Sequence, residues 1–220
     1  MISIERQQKL LLNVSRRLKK PVTMYAIGGT AMMFLGFKEA TLDIDLVFEK
    51  EEDRTVFKEA VKDIGYHELD SIEIYGAKRN QPLMLRLDDE RFDLFLVNVI
   101  DFIFSKQMMK RAEKTHQFNN NLILKVADPH DIILMKCATD RMKDIDDARN
   151  IIKEITIDFK VIIEEARNQI ELGRQSAAFE LGEFLENLKK TGVKIPQKVL
   201  DELFKIVKKQ AEEKVGKKAI

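Results

Sequence analysis

Thr41-Leu42-Asp43-Ile44-Asp45-Leu46-Val47-Phe48 decides the fold, read together with Ile27-Gly28-Gly29-Thr30-Ala31 just before it. The later stretch alternates and then turns apolar, the pattern of a strand. Side chains alternate sides along a strand, so Asp43 and Asp45 share one face while Ile44 and Leu46 share the other. Two carboxylates held that close disfavour each other's charge unless a cation neutralises them. A hard divalent ion such as Mg2+ or Mn2+ takes oxygen ligands and suits the task.

Working backwards, Val22 to Ile27 is a short apolar run that reads as a strand. Gly28-Gly29 breaks it, and Thr30 is expected to cap a short helix through Leu35 that Gly36 closes. Glycines at a strand-to-helix turn let backbone N–H groups approach a phosphate, and a helix N-terminus favours negative charge. Gly28, Gly29 and Thr30 are therefore candidate phosphate-binding residues. For the glycine pair alone, a tight structural turn explains the sequence equally well. Working forwards, Arg91-Phe92-Asp93-Leu94-Phe95-Leu96 places one carboxylate in an otherwise apolar strand. If that strand lies beside the Asp43 strand, three carboxylates converge. Such a set could serve two-metal phosphoryl transfer, in which one ion activates a hydroxyl and the other steadies a triphosphate. Asp43, Asp45 and Asp93 are the predicted catalytic and metal-holding residues.

The spacing elsewhere predicts a helix over 4–19, a helix over 51–64 ended by Gly65, and a hairpin of strands 83–87 and 91–97 turning at Asp88-Asp89-Glu90. A helix over 105–114 and a strand over 122–126 follow. From Asp128-Pro129 onward the pattern is helical, with helices over 144–154, 158–172, 175–190 and 197–214. This is an α+β plan, with an α/β domain over 1–127 and a helical portion over 128–220.

Composition narrows the chemistry. The 220 residues are 45% hydrophobic and 34% charged, enough apolar material for a real core. The formal net charge of +1 gives no global bias toward a polyanion. Cys137 is the only cysteine, which excludes an internal disulfide and a Cys-based zinc cluster. No basic-then-apolar leader opens the sequence, and no apolar run approaches the roughly 18 residues of a membrane span. A cytoplasmic protein without membrane attachment is the expectation. His67, His116 and His130 lack the spacing of a zinc hydrolase, and no P-loop or nucleophile elbow is present. Lys189 to Ile220 carries ten lysines against four acids. A basic helix there could touch nucleic-acid backbone, but its apolar stripe also suits ordinary packing.

Taken in order, the glycine turn, the helix, the D-x-D strand and the later carboxylate resemble the signature of the DNA polymerase β-like nucleotidyltransferase superfamily. The variant looks most like the abortive-infection type, found in toxin–antitoxin pairs. The resemblance spans about residues 22–155 and implies a mixed sheet with flanking helices. Asp131 to Ala138, then Arg141 and Lys143-Asp144-Ile145-Asp146-Asp147, look like the lysine-bearing helix and K-D-x-x-D segment of the same family. By that resemblance Lys136 contacts nucleotide phosphate, with Arg141 and Asp144 in support. Lys136 with Asp140, and Lys143 with Asp147, also read as i,i+4 pairs on a solvated face. The sequence departs from the family in having Gly29 where serine is common, and Glu39 about where an arginine often stands. The implied activity is transfer of a nucleoside monophosphate from an NTP, with Mg2+ or Mn2+, to a hydroxyl on tRNA, protein or a small molecule. The implied partners are that acceptor and a cognate antitoxin. A second reading keeps the fold without the chemistry, as a nucleotide- or partner-binding module.

Overall fold

The structure is a computed structural model that describes residues 1–76, 78–138 and 141–218, the last five by backbone alone. Contacts divide the chain into two compact units, Met1–Ile132 and Ile133–Ile220. The boundary read from composition precedes helix Pro129–Lys136, whereas the compact units divide within it.

In the first unit β1 (Ile2–Ser3) leads into α1 (Ile4–Ser15), then β2 (Val22–Ala26), α2 (Gly28–Leu35), β3 (Ala40–Thr41) and β4 (Asp43–Val47). Next come α3 (Glu51–Lys62), β5 (His67–Leu69), α4 (Ile72–Tyr75), β6 (Leu83–Leu87) and β7 (Glu90–Phe95). The unit continues through β8 (Asn98–Val99), β9 (Phe102–Ile103), α5 (Lys106–Arg111), β10 (Thr115–Phe118), β11 (Leu122–Val126) and the start of α6 (Pro129–Lys136). A seven-stranded mixed sheet runs β10-β11-β2-β4-β7-β6-β5. Its centre pairs β4 with β2 antiparallel and with β7 parallel. Central strands must bury both faces, and β4 and β7 do so except at Asp43, Asp45, Glu90 and Arg91, which are partly exposed. Ile44, Leu46, Phe92 and Leu94 are fully buried. Beside them Phe57 of α3 packs edge-on to Phe92 (6.0 Å between centroids), and Tyr66 does the same at 5.1 Å. The face opposite the carboxylates is therefore a rigid apolar floor.

Local chemistry sets the ends. Ser3 caps α1 by accepting the Arg6 N–H, and Ser105 caps α5 by accepting the Met108 N–H. The first helix stops at Ser15, short of the expected 19. Pro21 bars its predecessor from helical geometry, and the Leu18 carbonyl is taken by Asn121 Nδ2 at 3.2 Å. The β6–β7 hairpin turns at Asp88-Asp89, with Asp88 at φ 51. Gly36 closes α2 in the left-handed conformation at φ 85. Several short strands carry no sequence signal, because two or three residues show no period, and neither does β10, where Thr115–Phe118 mixes polar and aromatic side chains.

The second unit continues α6 and adds α7 (Met142–Glu154), α8 (Phe159–Glu171), α9 (Ala177–Lys190) and α10 (Gln197–Lys218). Their apolar stripes meet in a core including Ile151, Ile162, Leu181, Leu185, Leu188 and Leu203. The architecture is α+β with a helical C-terminal part. Among the described residues, no helix is long and apolar enough to cross a membrane.

Candidate active site

β4 and β7 lie parallel in a register that sets Asp43 opposite Arg91 and Asp45 opposite Asp93. Period-two alternation then puts all four side chains on one face of the sheet. One oxygen from each of Asp43, Asp45 and Asp93 falls within 4.8 Å of the others. The Arg91 guanidinium grips the buried member: its Nε donates to Asp93 Oδ1 at 2.7 Å and its Nη2 to Asp93 Oδ2 at 3.0 Å. The same Nη2 donates to Asp43 Oδ2. Asp93 is wholly buried, whereas the Asp43 side chain is 23% exposed. Burial pushes the Asp93 carboxyl above the usual carboxylate range, against the downward pull of Arg91 and of its hydrogen bonds.

The second grip on Asp93 comes from outside the strands. Tyr75, at the end of α4, donates its phenol to Asp93 Oδ2 at 2.6 Å. Its ring packs edge-on against Phe95, centroids 6.4 Å apart. Burial first, and then the charges of Asp45, Asp93 and Asp43, push this phenol's pKa up, so it stands as a hydrogen-bond donor.

The glycine turn serves this face directly. The Ile27 N–H donates to the Asp45 carbonyl at 3.2 Å, which fixes the turn against β4. Gly28 sits at φ +53, and a Cβ there would lie 2.8 Å from Asp45 Oδ2. At Gly29 a Cβ would lie 2.6 Å from Thr41 Oγ1, whose hydroxyl donates to Asp43 Oδ1 at 3.3 Å. Gly28 leaves room for the Asp45 carboxylate itself, and Gly29 for the Thr41 hydroxyl that holds Asp43. Thr30 does not cap α2, which begins at Gly28 behind Ile27 with no side-chain cap. Its buried hydroxyl instead accepts the Asp45 N–H at 2.9 Å and donates to the Asp43 carbonyl at 3.5 Å. The reason is proximity: α2 lies against β4, which brings the hydroxyl within reach of that strand's backbone.

The predicted nucleotide-contacting residues of the helical unit form a cluster of their own. Lys136 donates to Asp144 Oδ1 at 2.6 Å and to Asp147 Oδ2 at 2.5 Å. Arg141 Nε donates to Asp144 Oδ2 at 2.8 Å. The Lys136 side chain is 10% exposed, Asp144 not at all, and Arg141 57%. The solvated pairing is thus replaced at Asp147, which turns inward to Lys136, and Asp140 lies outside the described residues.

The donor set on β4 and β7 fits a hard divalent ion. It offers converging carboxylate oxygens, and with every group ionised three carboxylates face one guanidinium. The sequence profile described as "Nucleotidyl transferase of unknown function (DUF2204)" matches residues 7–178. The chain belongs to this family. A search of curated proteins finds no match. Two solved structures are similar at low identity. A solution structure of the antibiotic-resistance factor ANT(2'')-Ia aligns at 14% identity and TM-score 0.46, over 86% of this chain and 96% of that one. A crystal structure of ANT(2'')-Ia in complex with adenylyl-2''-tobramycin aligns at 14% and 0.45, over 82% and 98%.

Two residues of this carboxylate site carry no mark in the motif reading of the sequence. Arg91 had a signal: it stands two positions before Asp93, so strand period alone puts it on the carboxylate face. Tyr75 had none. It lies in a four-residue helix, 18 positions from the aspartate it touches.

Proposed function

We propose that this chain is a metal-dependent nucleotidyltransferase that moves a nucleoside monophosphate from an NTP to a hydroxyl acceptor and releases pyrophosphate. The observation that carries the reading is the convergence of Asp43, Asp45 and Asp93 beside a glycine turn that opens a helix. Divalent ions held by those carboxylates would neutralise the triphosphate and the entering oxygen. Asp43 and Asp45 would hold those ions, and Asp93 would also take the proton of the acceptor hydroxyl. The N–H groups of Gly28, Gly29 and Thr30 open α2 and have no partner within that helix, which suits a phosphate oxygen. By the family resemblance Lys136 contacts nucleotide phosphate, with Arg141 and Asp144, both bonded within the same cluster, in support. Acceptors in keeping with the chemistry are an RNA end, a protein side chain or a small molecule. An abortive-infection system with a cognate antitoxin is the setting that the sequence resemblance implies.

The test is labelled NTP incubated with the purified chain, Mg2+ or Mn2+, and cell extract. Transfer of label to an extract component is expected. Asp45→Ala should lower it on the order of a thousandfold, because the lost carboxylate acts in the transition state. Undiminished transfer by Asp45→Ala, or no transfer with any NTP and either ion, overturns the reading.

A further inference from the structure

An acceptor hydroxyl must come within about 2.6–3.2 Å of the group that takes its proton. One hydroxyl of this chain already does so, since the Tyr75 phenol donates to Asp93 Oδ2 at 2.6 Å. Among its described residues, the segment that delivers it is held largely by its own hydrogen bonds. Asp70 Oδ1 accepts the Ile72 N–H at 2.9 Å, and Gln81 Nε2 donates to the Gly76 and Lys78 carbonyls at 2.6 and 2.9 Å. Asn80 Nδ2 ties it to the Ile100 carbonyl at 2.7 Å. Its aliphatic residues are left in solvent, Ile72 at 64% and Ile74 at 46% exposure, while Tyr75 turns inward onto Phe95 and Asp93. A loop packed for stability would bury its isoleucines and leave the phenol wet. This one does the reverse.

We propose that Tyr75 is a self-modification site, onto whose phenol oxygen the chain transfers a nucleoside monophosphate from an NTP. The proposal rests on the nucleotidyltransferase reading above. Tyr75 Oη forms a bond to the α-phosphorus, and the bond from that phosphorus to the α,β-bridging oxygen breaks. Pyrophosphate leaves with that electron pair, and the phenol proton passes to Asp93 and then to water. The product is a tyrosyl phosphodiester, and nothing is oxidised or reduced.

The experiment incubates the full chain with each common NTP and Mg2+ or Mn2+, with no other acceptor, and reads intact mass and peptide maps. The mass should rise by one nucleoside monophosphate, the adduct should map to Tyr75, and the rate per chain should not change on dilution. Tyr75→Phe keeps the ring against Phe95 and should carry no adduct while melting as a folded protein. Absence of an adduct with every NTP overturns the proposal, as does an adduct that maps elsewhere or persists in Tyr75→Phe. A parallel arm adds cell extract as acceptor. Label on the extract with an unmodified Tyr75 sinks self-modification alone and leaves the transferase reading standing. No label anywhere, together with no NTP binding by calorimetry, sinks both.

Discussion

Arg91 carries the most specific consequence at the scale of a single residue. It is the cation that lets Asp93 be buried: the guanidinium donates two hydrogen bonds to that carboxylate and reaches Asp43 as well. Removing one partner of a buried ion pair leaves the other charge uncompensated, at a cost of about 3 kcal/mol or more. Arg91→Met should therefore lower the melting temperature of the metal-free protein by several degrees. Mn2+ should then raise it more in the variant than in wild type, because an added cation replaces the missing one. Thermal melts with and without Mn2+ check both halves. An Arg91→Met protein that Mn2+ fails to stabilise would mean that these carboxylates do not hold an ion. The aspartates themselves were legible from alternation along their strands. The charge that balances them was legible only by position, since nothing in Arg91-Phe92-Asp93 says that the arginine reaches forward along its own strand to Asp93.

At the scale of elements, the turn between β2 and α2 is the joint that aims the carboxylates. Thr30 links α2 to β4 by accepting the Asp45 N–H. Thr30→Val keeps the shape but leaves that N–H without its partner, which costs about 1–3 kcal/mol. Thr30→Ser should restore most of the loss, and denaturant melts of the pair separate hydroxyl from shape. Gly28→Ala should be worse. It places a side chain at φ +53 and a methyl 2.8 Å from Asp45 Oδ2, so about 1–2 kcal/mol of backbone strain adds to displacement of a site carboxylate. The variant should lose stability and Mn2+-induced stabilisation together, whereas Thr30→Val should lose mainly stability. The sequence marked this joint through its glycines, and the strand before it and the helix after it followed from periodicity. It misassigned Thr30, because a threonine near a helix start reads as a cap until the helix is seen to begin two residues earlier.

At the scale of the whole molecule, the second unit has a buried charge cluster that holds its helices. Lys136 sits between Asp144 and Asp147. Burial pulls the ammonium's pKa down, but the two carboxylates outweigh it and raise it above its ordinary 10.5. A raised lysine contributes fully below its unfolded value and is lost only as pH climbs through the folded one, so the contribution is constant around neutrality. Lys136→Ala should destabilise the helical unit by about 3 kcal/mol, because Asp147 and the buried Asp144 both lose the Lys136 ammonium, while Asp144 keeps its bond to Arg141. Limited proteolysis should then cut within Ile133–Ile220 while the Mn2+-induced stabilisation of the β4–β7 site persists. Cleavage appearing first among the sheet strands would contradict this.

The sequence by itself determined the α+β plan, the order of the main strands and helices, and the three aspartates. Each of those is written in a local period or in a glycine that only certain backbone geometries need. The tertiary structure decided what surrounds the carboxylates. Strand register put Arg91 beside Asp43, the packing of α2 on β4 gave Thr30 its partner, and a loop excursion brought Tyr75 onto Asp93. The inward turn of Asp147 to Lys136 belongs to the same class. These are contacts between residues far apart in the chain, and periodicity fixes which face a side chain takes but not what the fold brings to meet it.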